Sequence, residues 1–320
     1  MQLDRIRIGT RGSPLAMAQA HETRDRLIKA HDLDAARIEI IEIKTSGDQI
    51  QDRPLSEVGG KGLFTKEIEE ALYAHKIDCA VHSMKDLETE MPTLLEVAAV
   101  LPREDVRDAF ISLTHDSLDD LPQGSTVGTS SLRRRAQLQH ARPDLKVVEF
   151  RGNVQTRLKK LADGVADATF LACAGLKRLG QTDRITREVP TDDMLPAVAQ
   201  GAIAIQIRSD HDAMKEVLQA LNHAETEVRV TAERAFLNRL DGSCLTPIAG
   251  LAEPTSEGTY RFRGQVIAPD GSRALSVERV GSGDDLKALA IEAAEALLND
   301  GAKDLIGNGR TSEKAPGGGL

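Results

Sequence analysis

Short β-rich apolar runs alternate with stretches of helical spacing up to about residue 220 of the chain. "RIRIGT" is followed by "SPLAMAQAHETRDRLIKAH", "RIEIIEIKT" by "KGLFTKEIEEALYAHK", "STVGTSS" by "LRRRAQLQHA" and "KVVEFRG" by "NVQTRLKKLADG". "DCAVHS" and "ATFLACAG" supply further strands. This alternation predicts α/β layers built on parallel strands. "LPREDVRDAF" carries Pro102 and a cluster of charges, and reads as a crossing into a second α/β unit. In "DMLPAVAQGAIAIQIR" a proline and a glycine precede an alternating strand, Ile203, Ile205 and Ile207, placed to return to the first unit. Two crossings make a hinge. The expected domains are 1–101 with 201–221, and 102–200.

After the helical "NHAETEVRVTAERAFLNRL" the texture changes. "APDGS" between alternating runs signals a hairpin, and "DDLKALAIEAAEALLNDGA" offers an apolar stripe to cover it. A small α+β domain is expected over 222–306. The tail 307–320, "GNGRTSEKAPGGGL" in the main, reads as disordered.

Composition narrows the function. The first residues hold no apolar leader, and no run approaches the 18 or so apolar residues a membrane span needs. A soluble, cytoplasmic chain with no membrane partner is expected. Three cysteines without CxxC spacing and eight histidines without an HExxH pair argue against a disulfide framework and a metal site. His82 reads as an ordinary strand-end residue. The net charge of −9 disfavours nucleic acid, and no Trp and only two Tyr leave no platform for stacking bases. Yet Gly128 to Lys160 holds nine Lys or Arg against two acids. A basic cleft for small anions fits that contrast.

The strand-to-helix turns share one oddity. "GTRGSP" puts Arg11 ahead of Ser13, a natural N-cap, and Pro14 at the first helical position. "GTSSLRRRA" sets Thr129, Ser130 and Ser131 before Arg133, Arg134 and Arg135. "RGNVQTRLKK" repeats the arrangement with Arg151 and Arg157, and "VHSMKD" places Ser83 and Lys85 after another strand. Cations in a first turn oppose the helix dipole. One such turn is a solvated helix end; four together call for a compensating carboxylate or phosphate in a shared crevice.

Asp86, beside Lys85, is either a helix-start aspartate or the acid-base group of that crevice, able to stabilise a developing cation. "VGGKGLFTKEIEE" lacks nucleotide-loop spacing and is either a lid carrying Lys61 or an ordinary loop. "LDGSCLTPI" sets Cys244 in a glycine-and-serine turn, whereas Cys79 and Cys173 lie in apolar runs. A thiol there is an accident of sequence or a nucleophile.

Together these segments resemble the porphobilinogen deaminase (hydroxymethylbilane synthase) family of tetrapyrrole biosynthesis, from about residue 5 to about 305. The most specific stretches are "VGGKGLFTKE", "AVHSMKD", "GTSSLRRR", "FRGN", "AGLKRLG", "LPAVAQGA" and "ALNHAETEVRVTAERAF". The resemblance implies two α/β domains like those of periplasmic binding proteins, joined by a double crossover hinge, and a small α+β C-terminal domain. It implies a monomeric transferase with porphobilinogen as its small-molecule substrate. Four porphobilinogens are joined head to tail, each losing ammonia, onto a dipyrromethane cofactor held by a thioether at Cys244, and hydroxymethylbilane is then released by water. Asp86 matches the catalytic aspartate. Arg11, Ser13, Ser83, Lys85, Thr129, Ser130, Ser131, Arg133, Arg134, Arg151, Gly152, Arg157 and Arg178 match positions that hold cofactor or substrate carboxylates; Lys61 and Gln200 are looser matches.

The chain departs from the family in "DGSC", where a second glycine often precedes the cysteine, and at Glu57, where some relatives carry lysine. Arg135 extends the usual arginine pair and receives no role. Two rival readings stay open. A solute-binding protein would need neither Cys244 nor Asp86, and an effector domain of a regulator would follow a helix-turn-helix segment not seen here.

Overall fold

The computed structural model describes residues 5–49, 62–243 and 246–307. The expected lid with Glu57 and Lys61, the anchor Cys244 and the tail from 308 lie outside the described residues. Among the described residues three sheets carry the fold.

The first sheet has the order β2-β1-β3-β10-β4, from β1 (Ile6–Arg11), β2 (Ile38–Ile43), β3 (Cys79–Ser83), β4 (Leu95–Val100) and β10 (Ile203–Arg208). β1 runs parallel to β2 and β3, and β10 runs antiparallel to β3 and β4. The second sheet repeats the plan as β7-β6-β8-β5-β9, from β5 (Asp108–Ser112), β6 (Thr126–Gly128), β7 (Lys146–Val148), β8 (Ala168–Ala172) and β9 (Arg187–Val189). Here β6 is parallel to β7 and β8, and β5 is antiparallel to β8 and β9. In each sheet the antiparallel strand is the one that arrives from the other: β5 enters after Val100, and β10 returns after β9. These are the two crossings read from the sequence, and the Ile203–Ile205–Ile207 strand does return to the first sheet.

Strand alternation puts a core on both faces. Ala109 and Ile111 face Phe150, Leu161 and Leu176, while Phe110 faces Val127, Leu138 and Phe170. The helices begin where capping chemistry allows. Helix α1 (Pro14–His31) has Ser13 as N-cap, its hydroxyl accepting from the Ala16 N–H, with proline at the first position. α2 (Ser46–Gln49) is a single turn, and α3 (Lys66–Tyr73) is shorter than the helical pattern around it suggests. α4 (Leu132–Ala141) is capped by Ser131 and α5 (Val154–Ala162) by Asn153. α6 (Cys173–Arg178) and α7 (Asp212–Gln219) complete the two lobes.

The third sheet, β11 (Ile248–Pro254), β12 (Tyr260–Ile267) and β13 (Ala274–Gly281), is antiparallel, with the expected hairpin between β12 and β13. It is covered by α8 (Ala224–Arg239) and α9 (Leu286–Asn299), with α10 (Ala302–Gly307) at its end. α8 serves two cores. Phe236 and Leu240 pack on the third sheet, while Val230 packs with Met84, Val100 and Val198 of the first lobe and crossings.

Candidate functional site: a cationic cleft at the strand ends

The parallel strands β1 and β3 end side by side, and their last residues open a pocket lined by Arg11, Ser13, Phe64, Ser83 and Asp86. Ligands of α/β sheets bind at such carboxyl ends. Asp86 closes a one-turn 3-10 helix, Met84–Asp86, whose Met84 is buried in the core behind it. The Asp86 side of that turn is exposed toward the pocket. The Ser83 hydroxyl is held by the Gln19 side chain at 2.9 Å. Behind the wall, His82 is buried and bonded to Gln206 at 3.0 Å, and burial pushes its pKa down to about 4. It is a neutral core residue, as its place in the sequence suggested.

The second lobe carries further predicted site residues. Arg151 and Gly152 follow β7, and Gly152 has a φ of +120°, where a Cβ would also press on Thr156 at 2.6 Å. Its carbonyl accepts from the Arg157 Nε at 2.9 Å. The Arg157 pKa is pushed down to about 10, first by burial and then by repulsion from Arg134, with Arg151 adding and Glu149 and Asp86 opposing. Thr129 is buried, its hydroxyl accepting from the Ser131 N–H at 3.2 Å, and the Ser130 hydroxyl accepts from the Phe150 N–H at 3.1 Å.

Several predicted cations already hold carboxylates of the chain itself. Arg133 and Arg134 are buried and share Asp108: Arg133 Nη2 lies 2.7 Å from one oxygen, and Arg134 Nη2 lies 2.7 Å from the other. Their remaining bonds go to the carbonyls of Leu195 and Phe170 at 2.8 Å. Burial pulls against ionisation of Asp108, but the attraction of Arg133 and Arg134 wins and its pKa falls far below the carboxylate range. The compensating anion expected in front of this helix is thus supplied from β5. Arg178 bonds Glu22 of α1 at 3.2 Å and the Gly201 carbonyl at 3.0 Å, clasping the lobes together. Arg11 holds Asp48 and stacks over Phe64, 4.1 Å from the ring centroid. Lys85 donates to Gln200 Oε1 at 3.3 Å, and the Gln200 amide donates to Asp108 at 3.0 Å, joining Lys85 to the Asp108 hub. Arg135 lies 3.7 Å from Glu149.

Asp108, Asp48, Glu22 and Gln19 are site residues that sequence reasoning did not single out. Asp108 had a weak signal: an acid opening an apolar run, "DAFIS", wastes charge unless a cation meets it there.

A wider opening of about 350 Å³ lies where the first crossing meets the third sheet, lined by Arg103, Asp105, Arg107, Thr191, Arg229 and Glu253 among others. Its ionic groups are largely spoken for. Arg107 is paired with Asp105 and Glu188, Arg103 with Glu233, and Glu253 with Arg261 and Arg263. Asp105, Cys173 and Glu188 converge there, but Lys177 and Arg107 neutralise both acids.

Two α/β lobes, the first with a pocket of a cation, hydroxyls and an exposed carboxylate at its strand ends, make a two-lobed α/β protein with a site suited to acid groups. A family model described as "Porphobilinogen deaminase, dipyromethane cofactor binding domain" matches residues 6–216, and "Porphobilinogen deaminase, C-terminal domain" matches 228–299. The chain belongs to the porphobilinogen deaminase family. It is 60% identical over 301 residues to the porphobilinogen deaminase of Paracoccus denitrificans, covering 94% of this chain and 96% of that one. It is 56% identical over 299 residues to the chloroplastic porphobilinogen deaminase of Pisum sativum, covering 92% and 81%. Among solved structures, the methionine binding protein MetQ is similar over 70% of this chain and 93% of that one, at 15% identity and a TM-score of 0.45. Family membership makes the chain a transferase of tetrapyrrole biosynthesis with a dipyrromethane cofactor.

The described residues suit that cofactor. Its acetate and propionate groups need cations and hydroxyls, which Arg11, Ser13 and Ser83 present in one pocket, and its pyrrole N–H groups need an acceptor, which Asp86 offers at the same place. Thr246 takes the Ser243 N–H at 3.0 Å and donates to the Ser243 carbonyl at 2.7 Å.

Proposed function

We propose that this chain condenses four porphobilinogens head to tail, with Cys244 carrying the dipyrromethane and Asp86 managing charge at the reacting ring. The observation that carries this reading is the common pocket of Arg11, Ser13, Ser83 and Asp86. When bound, the dipyrromethane supplies the ring carbon that accepts the first unit. The chain's residues do the rest. Arg11, Ser13, Ser83, Lys85, Arg151 and Arg157 bind acetate and propionate groups, which accumulate as units are added. Asp86 accepts a hydrogen bond from the pyrrole nitrogen of the incoming porphobilinogen. As ammonia departs with the C–N bonding pair, positive charge spreads from the methylene carbon to that nitrogen, and a carboxylate held against it lowers the barrier.

Arg133, Arg134 and Arg178 enter this reading with a second duty. A ligand carboxylate at Arg133 or Arg134 must share the arginine with Asp108, because removing a buried partner outright costs about 3–5 kcal/mol. Thr129, Ser130 and Ser131 shape the turn that aims them. Gln200 positions Lys85. Lys61 is proposed as a further carboxylate contact.

The protein works as a cytoplasmic monomer without nucleic acid. The net charge of −9, the scarcity of aromatic side chains and the buried free thiols of Cys79 and Cys173 favour this. Among the described residues no helix is long and apolar enough to cross a membrane.

The test is the intact mass of the denatured protein beside that of Cys244→Ser. The wild type should exceed its sequence mass by two linked pyrrole units and the variant should not. Absence of an adduct from both, after incubation with porphobilinogen, overturns the reading.

A further inference from the structure

The cations of the cleft differ in how firmly the chain's own acids hold them. The Arg133 and Arg134 side chains are each 5% exposed around a fully buried Asp108, so water cannot replace one partner when the other leaves. Arg11 and Asp48 are 23% and 33% exposed, and Arg11 lines the pocket. Asp48 is nevertheless held in place with care. Its carboxylate accepts from the Thr45 hydroxyl at 2.7 Å and from Arg11 Nε at 3.1 Å, with a second bond from Arg11 Nη2. Its short helix α2 is tied down by Gly47 N–H to the Leu63 carbonyl at 2.8 Å and by Ser46 N–H to Glu67 at 2.9 Å. A Cβ at Gly47 would meet the Phe64 ring at 2.4 Å, so the segment rests directly on the ring over which Arg11 stacks. Asp48 presents a two-oxygen, planar partner to a guanidinium in the geometry that an acetate or propionate would use.

We infer that Asp48 is a stand-in carboxylate, which occupies Arg11 in the resting protein and must yield it to a ligand carboxylate. It thereby sets the affinity and selectivity of this subsite for acid groups. The inference rests on the proposed use of the pocket. Only a ligand carboxylate able to match the two-point contact displaces Asp48, and a neutral or singly hydrogen-bonding group does not. Displaced, Asp48 keeps its Thr45 bond and enough exposure to be solvated, so the exchange is reversible at each addition. Asp108 keeps a bond from Gln200 but lacks the exposure.

The probe is an unreactive pyrrole bearing acetate and propionate but no aminomethyl group, titrated calorimetrically into the enzyme as purified, primer included. Asp48→Asn and Asp48→Ala should bind it about threefold more tightly than wild type, the change expected for losing a half-exposed ionic competitor. Asp48→Glu should restore the weaker binding, and the same pyrrole with both acids amidated should not discriminate among the proteins. If the Asn and Ala variants bind more weakly, Asp48 orients Arg11 for the ligand and the inference is overturned; unchanged binding overturns it too. Failure of the condensation reading would show separately, in the mass of the wild-type protein, whatever happens at Asp48.

Discussion

Glu233 and Arg103 meet through two hydrogen bonds, of 2.6 and 2.9 Å, with their side chains 0% and 3% exposed. The same carboxylate accepts from the Ala199 N–H at 2.7 Å and the Ala252 N–H at 2.9 Å. Arg103 lies in the first crossing, Ala199 in the second and Ala252 in β11, so one buried acid ties both hinge strands to the third domain. Glu233→Ala should therefore destabilise by about 3–5 kcal/mol, because it strands the Arg103 guanidinium as well as two N–H groups. Scanning calorimetry should record a lower midpoint and a splitting of the transition, as the third domain unfolds apart from the lobes.

Asp108→Asn should damage stability and activity together. Arg133 and Arg134 would then face each other in a buried site without the charge that reconciles them. The Gln200 amide would also lose its anionic acceptor, and Gln200 is the residue that holds Lys85. We expect a lower melting temperature and a raised KM for porphobilinogen, measured on protein still carrying its primer. A variant that melts normally yet fails to bind would show that Asp108 acts only through the cleft.

Local chemistry was legible in the sequence and distant pairing was not. Ser13 and Pro14 announce a helix start within a few residues, and the structure caps α1 in that way. The return of the Ile203–Ile207 strand could be read because its alternation is unbroken. β5 was hidden because its first residue is Asp108, a charge that looks like the end of the crossing and is neutralised by arginines 25 and 26 positions on. β9 is only three residues, and unlike the equally short β6 and β7 it is not followed by a helix that would mark it. At the site, the hydroxyls and cations were visible as residue types, but the acids that hold Arg11, Arg133, Arg134 and Arg178 come from other elements and could be found only in the fold.

Asp86→Asn keeps the shape of the pocket wall, since Met84 fixes the turn from beneath and Asp86 itself is exposed. In the proposed mechanism it removes the negative charge that stabilises the cation formed as ammonia leaves. Turnover should drop by about 10²–10⁴-fold, the range for loss of a positioned acid-base group. Single-turnover quench experiments would locate the loss in the ammonia-releasing step. Turnover close to wild type would remove Asp86 from the mechanism while leaving the carboxylate subsites untouched.

Lys85 gives the cleft a pH limit. Its ammonium pKa is pushed down to about 8, first by burial; attraction to Asp86 opposes the shift, repulsion from Arg134 adds to it, and Asp108 and Arg133 contribute smaller opposing effects. Below about pH 8 the side chain is charged and, as proposed above, would attract a substrate carboxylate; above it the neutral amine would not. Substrate acids stay ionised throughout, so affinity should fall as pH rises through about 8. A bound carboxylate favours the charged amine and raises its pKa in the complex. The limb therefore belongs to the free enzyme and appears in kcat/KM more than in kcat. Lys85→Arg keeps the positive charge to far higher pH. Its kcat/KM profile should be flat where the wild type declines, even if its absolute activity is lower because the larger guanidinium meets Gln200 differently. A decline of equal size and midpoint in both proteins would assign the titration to another group.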